Sequence, residues 1–151
     1  MTTDQIEQLR QDIANLTLAA QHLNFSIARS QPILAQTSWT PEEQERLESL
    51  CSRFARLADL LIQRVMRLVD YIELTPEGSL LDRIHRAEKR GWGGQPGNLV
   101  RIRELRNIIA HEYAAEKMAQ IYATTAKLAP ELLSIVPAVV TYCEALTVER
   151  R

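Results

Sequence analysis

Apolar residues recur at steps of three and four along almost the whole chain. Ile6, Leu9, Ile13, Leu16, Ala20, Leu23 and Ile27 follow that spacing, which predicts an opening helix with one buried stripe that ends before Pro32. A second helix has an explicit start, with Thr40 as N-cap, Pro41 at the first helical position and Glu43 where a capping-box acid belongs. Its stripe of Leu47, Leu50, Cys51, Phe54, Leu57, Leu61, Val65 and Leu68 predicts many turns, to about Leu74. Thr75-Pro76-Glu77-Gly78 breaks that helix and opens a shorter one with Leu80, Leu81 and Ile84 facing inward. A fourth helix runs from about Asn98, read as its N-cap, past Tyr113. The last extends from near Glu116 to about Val148, with Pro130 marking a break or restart and Pro137 a possible kink. Nothing alternates as a strand would and no repeat is visible. The expected architecture is all-α, an antiparallel bundle of four to five helices forming a single domain over 1–151.

Composition agrees with such a bundle and narrows its chemistry. Hydrophobic residues make up 46% of the 151 residues and aromatics only 5%, so the core is mostly aliphatic, and five glycines are too few for a turn-rich β fold. The formal net charge of -1 excludes a domain that is basic all over, so any contact with nucleic acid must use a local patch. One stretch offers it: Arg83, Arg86, Lys89, Arg90, Arg101, Arg103 and Arg106, opposed there only by Asp82, Glu88 and Glu104.

Several other chemistries lack support in the sequence. Cys51 and Cys143 both sit in apolar helical patterns, with no Cys or His at metal-ligand spacing, and read as reduced core residues; no metal site and no cofactor is expected. Gly91-Trp92-Gly93-Gly94-Gln95-Pro96-Gly97 is glycine-rich, but no Gly-Lys-Ser/Thr follows and no strand precedes it, so it reads as a mobile connector with Trp92 as an anchor. His22 and His85 lie beside apolar helical positions and read as boundary residues. The N-terminus has no basic stretch followed by an apolar one, and the longest apolar run, Leu132 to Cys143, falls short of the roughly 18 residues of a membrane span. A soluble, cytoplasmic protein with no membrane contact is the expectation.

The fourth helix carries the most concentrated chemistry. Projected at about 100° per residue, Ile102, Leu105 and Ile109 share one side, with Ile108 at its edge. The opposite arc gathers Arg103, Arg106, Asn107, Ala110, His111 and Tyr113, so guanidinium, amide, imidazole and phenol groups surround one small residue. Asn107 and His111 stand four apart and lie within reach of each other. An imidazole moves protons near neutral pH, and an arginine fork is built to hold phosphate oxygens.

Arg106-Asn107-Ile108-Ile109-Ala110-His111-Glu112-Tyr113 resembles the Arg-x4-His-x-Tyr signature of HEPN domains, in particular the HepT toxins paired with MntA-type minimal nucleotidyltransferase antitoxins. The motif covers eight residues, and the helical bundle the family implies agrees with the periodicity of most of the chain. The resemblance implies a metal-independent endoribonuclease that works as a homodimer, its two motifs meeting across a cleft. His111 would then act as general base or acid, Arg106 as a phosphate clamp and Asn107 as an orienting hydrogen-bond partner. Tyr113 would be the residue that an MntA-like partner modifies with AMP to silence the toxin. Arg103, outside the family motif, is read as an auxiliary RNA phosphate contact. Two alternatives remain open: a non-catalytic HEPN module that binds a nucleotide or docks a nucleotidyltransferase, and a plain helical interaction protein.

Overall fold

A computed structural model of the chain describes residues 1–112 and 114–149, and those residues are helical apart from short connections. The elements are α1 (Thr3–Ser30) with a 3-10 turn at Gln31–Ile33, α2 (Pro41–Asp59), a π-helical segment (Leu60–Val65), α3 (Met66–Ile72), α4 (Leu80–Lys89), α5 (Asn98–His111) and α6 (Ala115–Glu149). Because α2, the π segment and α3 run on without a break, the bundle holds five rods among the described residues.

Capping fixes three of the starts. Thr40 accepts from the Glu43 amide while the Glu43 carboxylate accepts from the Thr40 amide, as the sequence predicts. Thr2 with Gln5 and Ser79 with Asp82 close the same reciprocal box at α1 and α4. The start of α5 differs from expectation. Gly97 takes the N-cap position at φ 84, a left-handed conformation that favours glycine, and Asn98 is the first helical residue. The Asn98 side chain is buried and bonded to Glu131 and Arg101 instead of to its own helix end.

The π segment has a cause in the sequence. From Leu57 the fully buried positions step to Leu61, Val65 and Val69, three steps of four. At about 100° per residue those twelve residues overshoot three turns by about 120°, which would swing the stripe out of the core. A π turn absorbs one extra residue and leaves a drift of only about 20°. The rod therefore keeps one face inward from Leu47 to Ile72.

Cross-links between rods give their directions. Arg53 donates to the His22 carbonyl and Ser26 Oγ, and Arg64 pairs with Asp12, so α1 runs antiparallel to the α2 rod. Cys51 with Thr125 and Tyr142 with Glu73 show that α6 runs parallel to that rod. Asn98 on Glu131 and Ile109 against Ile121 and Tyr122 set α5 antiparallel to α6. The core is aliphatic, with Trp92 and Phe54 among its few rings.

Three further expectations need correction. Leu81 is 51% exposed, because the inner face of α4 is formed by Ile84 and Ala87, with Leu80 half-buried. α5 stops at His111 rather than running past Tyr113; Glu112 turns extended and its carboxylate accepts from the Ala114 amide. α6 continues unbroken through Pro130 and Pro137, both on its exposed side, where carbonyls freed by a proline can be hydrated. By length and composition α6 also suffices to cross a bilayer, which the Leu132–Cys143 run alone did not suggest. Here its stripe of Leu128, Leu132, Ile135, Val139 and Cys143 is buried in the core.

Trp92 pins the glycine-rich loop. Its ring is buried edge-on to Tyr142, with centroids 5.1 Å apart, and the Arg90 guanidinium lies 5.1 Å from its centroid. Arg90 and Arg86 both reach the buried Asp70, at 2.9 and 2.8 Å, and join α4 to α3. Burial pushes the Asp70 carboxyl up, but the two guanidinium hydrogen bonds outweigh it and hold the group below its ordinary value. A carboxyl lowered in the folded state stabilises the fold above its unfolded value of about 3.9, and that contribution fades as pH falls through the folded value. Asp70→Asn is expected to cost about 2 kcal/mol at neutral pH in urea unfolding, since it removes the charge that both guanidiniums share and leaves Arg90 only the longer pair with Glu73 at 3.6 Å. The parent should lose stability below about pH 4 more steeply than the variant. Parallel acid limbs would show that the pair is not what ties α4 down.

Candidate functional site

Leu99, Ile102 and Leu105 bury one side of α5 and Ile109 is half-buried beyond them, which turns Arg103, Arg106 and Asn107 toward α2. The central contact is a two-pronged pair: Arg106 Nε donates to Asp59 Oδ1 at 2.7 Å and Nη2 donates to Oδ2 at 2.8 Å. Donating to the Asp59 carboxylate raises the Arg106 pKa further above its already high value, so the guanidinium stays charged. Two of its five N–H bonds are engaged in the pair, and three remain for another acceptor.

Around this pair lies an open cleft of about 720 Å³, walled by α2, the π segment and α5. Arg56, Arg64, Arg103 and Arg106 line it, with Asp59 as the only carboxylate among its lining residues. Ser52 and Ala55 keep the α2 wall low, and Asn107 and Gln63 add amides. Among the described residues Arg56, Arg103 and Asn107 make no side-chain hydrogen bond or ion pair. Arg64 reaches the buried Asp12 only at 3.5 Å. Groups of this kind, cationic and not otherwise engaged, suit an anion with several oxygens.

The structure brings Arg103, Arg106 and Asn107 to this cleft and sets His111 apart from it. His111 is exposed at the last turn of α5, one turn beyond Asn107, and makes no side-chain hydrogen bond or ion pair with a described residue. It is therefore open to solvent and not packed inside its own subunit. Tyr113, read as the site of AMP transfer, lies outside the described residues. Among those residues no three His, Cys, Asp or Glu side chains cluster as a metal site would.

The basic stretch read from the sequence does not survive as one patch. Arg86 and Arg90 are engaged by Asp70, Arg101 by Asn98 and Arg106 by Asp59, while Arg83 donates to the Ile62 carbonyl and Gln63. The positive face comes instead from arginines on two helices far apart in sequence. Sequence reasoning missed Arg56, Asp59 and Arg64. A signal for them exists: Ser52, Ala55, Arg56, Asp59 and Gln63 recur at helical spacing opposite the apolar stripe, and Asp59 is the one acid between Glu48 and Asp70.

Cys51 and Cys143 are free and buried, and burial pushes their thiols up to about 11 and about 12. Neither is placed to act as a nucleophile. No family model, no curated protein and no solved structure matches the chain.

The Arg106–Asp59 pair is partly open to water, so its contribution is modest. A double-mutant cycle of Arg106→Ala and Asp59→Ala in urea unfolding should return a coupling of about 1 kcal/mol that shrinks with added salt. Additive effects of the two substitutions would mean that the fork does not hold α5 on α2.

Proposed function

We propose that the chain is an endoribonuclease toxin of the HEPN kind that acts as a homodimer in the cytoplasm and is neutralised by an MntA-like nucleotidyltransferase antitoxin. One observation carries the reading. Arg103, Arg106 and Asn107 of the Arg-x4-His-x-Tyr helix line an arginine-rich cleft, while His111 of the same helix stands exposed.

RNA needs little from such a site, because its 2′-hydroxyl is a built-in nucleophile next to the phosphorus it attacks. His111 of one copy accepts the 2′-hydroxyl proton as the 2′-oxygen bonds to phosphorus. The bond from phosphorus to the 5′-oxygen breaks, and that oxygen takes its proton from the imidazolium of the second copy, leaving a cyclic phosphate. Arg106, oriented by Asp59, turns its remaining N–H groups to the charge that builds on the phosphoryl oxygens. Asn107 holds the imidazole or the phosphate by hydrogen bonding. Each chain supplies one imidazole, so a symmetric pair supplies both proton carriers. AMP on Tyr113 adds charge and bulk close in sequence to His111 and would block an anionic substrate.

A second reading is a non-catalytic module that binds a nucleotide or docks a nucleotidyltransferase through the same arginines. Two observations favour it: Asp59 already occupies part of the Arg106 fork, and His111 does not line the cleft. Cleavage assays separate the two. Purified protein should cut single-stranded RNA to fragments with cyclic phosphate ends, and both His111→Ala and Arg106→Ala should lower the rate at least a hundredfold without changing the oligomeric state. Intact RNA with the parent protein, or cleavage that survives both substitutions, would leave the binding reading in its place.

A further inference from the structure

A second open cleft, of about 440 Å³, adjoins the first across Gln63 and Arg64, which line both. Arg67, Tyr71, Arg83 and Arg86 belong to it, together with the Thr75–Gly78 turn. Arg67 is exposed and makes no hydrogen bond or ion pair with a described residue. Tyr71 presents its ring to solvent at 67% exposure, a large aromatic surface with nothing packed over it. Burial first, and then the neighbouring Arg67, pull Arg83 below the usual guanidinium value, while Asp70 and Glu77 oppose them. Asp12, Asp70 and Glu77 also line this cleft, but Asp70 is buried and engaged by Arg86 and Arg90. Asp12 is buried beside Gln8 and Arg64.

We infer that the two clefts form one track for single-stranded RNA, in which Arg64 and Arg67 follow the phosphates away from Arg106 and a base stacks on Tyr71. This rests on the ribonuclease reading for its choice of RNA, and it names a binding site away from the cleavage motif. The spacing suits the ligand. From Asp59 to Tyr71 the rod advances about 17 Å, at 1.5 Å per residue with the extra residue of the π turn discounted. A stacked strand covers that distance in about five nucleotides. Arginines along a groove with an exposed aromatic ring are the elements that hold a single strand without reading its sequence. The π turn matters here, since Gln63 and Arg64 within it are the residues shared by both clefts.

The test uses the full chain and a 2′-O-methyl oligouridine, which lacks the free hydroxyl and is not cut, so binding is read apart from cleavage. Affinity should rise with length up to about five or six nucleotides and level off. Tyr71→Ala should weaken binding about tenfold. Arg67→Glu should weaken it further and make the salt dependence shallower, by about 0.7 in the logarithmic slope for each phosphate that is no longer neutralised. Lys127→Glu, on the exposed side of α6, serves as the control and should change nothing; circular dichroism checks that each variant is folded. Absence of oligonucleotide binding, or binding indifferent to Arg67 and Tyr71, overturns the track, in the second case even if RNA cleavage still depends on His111. Binding that needs Arg67 and Tyr71 upholds the track even if RNA is never cut, and in that case only the ribonuclease reading fails.

Discussion

Two charge-assisted hydrogen bonds between Arg106 and Asp59 join α5 to the long central rod, and the arrangement of the candidate site follows from them. The apolar side of α5 settles which residues are buried, but a greasy stripe alone tolerates some rotation. A planar fork on a planar carboxylate is more exacting, because both distances lengthen together if the helix turns or slides. With Arg106 held, Arg103 and Asn107 sit on the cleft, and His111, one turn on, reaches solvent at the helix end. Asp59 thus orients an arginine that still has donors to offer, and any anion bound there would share that arginine with it.

The central rod keeps one face inward beyond this pairing by departing from ideal helical geometry. Without the π turn over Leu60–Val65, the buried positions after Leu57 would rotate out of the core, or the segment after Asp59 would present different residues to α5. The extra residue in that turn keeps Leu61, Val65 and Val69 inside and puts Gln63 and Arg64 outside, between the two clefts. At the far end the rod is tied by Asp70 to α4 and, through Arg90 and Trp92, to the glycine-rich loop that leads into α5.

Much of the scaffold was legible in the sequence, because helix periodicity and caps are local. The stripe of α1, the capping box at Thr40 and the inward face of Ile102 and Leu105 all depend on residues within a few positions of one another. What could not be read is non-local. Asp59 and Arg106 are 47 residues apart, and the run of arginines from Arg83 to Arg106 looks like one patch until Asp70 and Asp59 are seen to occupy its members. Asn98 has the composition of an N-cap, yet its buried contact with Glu131 prevails and Gly97 takes the cap. Pro130 and Pro137 suggest a break, but an outward-facing proline costs a helix less when the rest of its turn is packed in a core. The site motif was visible as Arg106, Asn107 and His111; the α2 half of its cleft was not.

The proposed reaction requires α5 of one copy to meet α5 of another, since the motif of a single chain offers one imidazole, His111, where two are used. The most direct measurement is a crystal structure of the assembly purified from solution, read for the placement of the two His111 side chains. The expected result is a symmetric dimer in which both imidazoles face one groove, close enough to serve the same phosphate, with Arg106 of each copy beside them. A monomer, or a dimer with the two motifs on opposite outer surfaces, would contradict it.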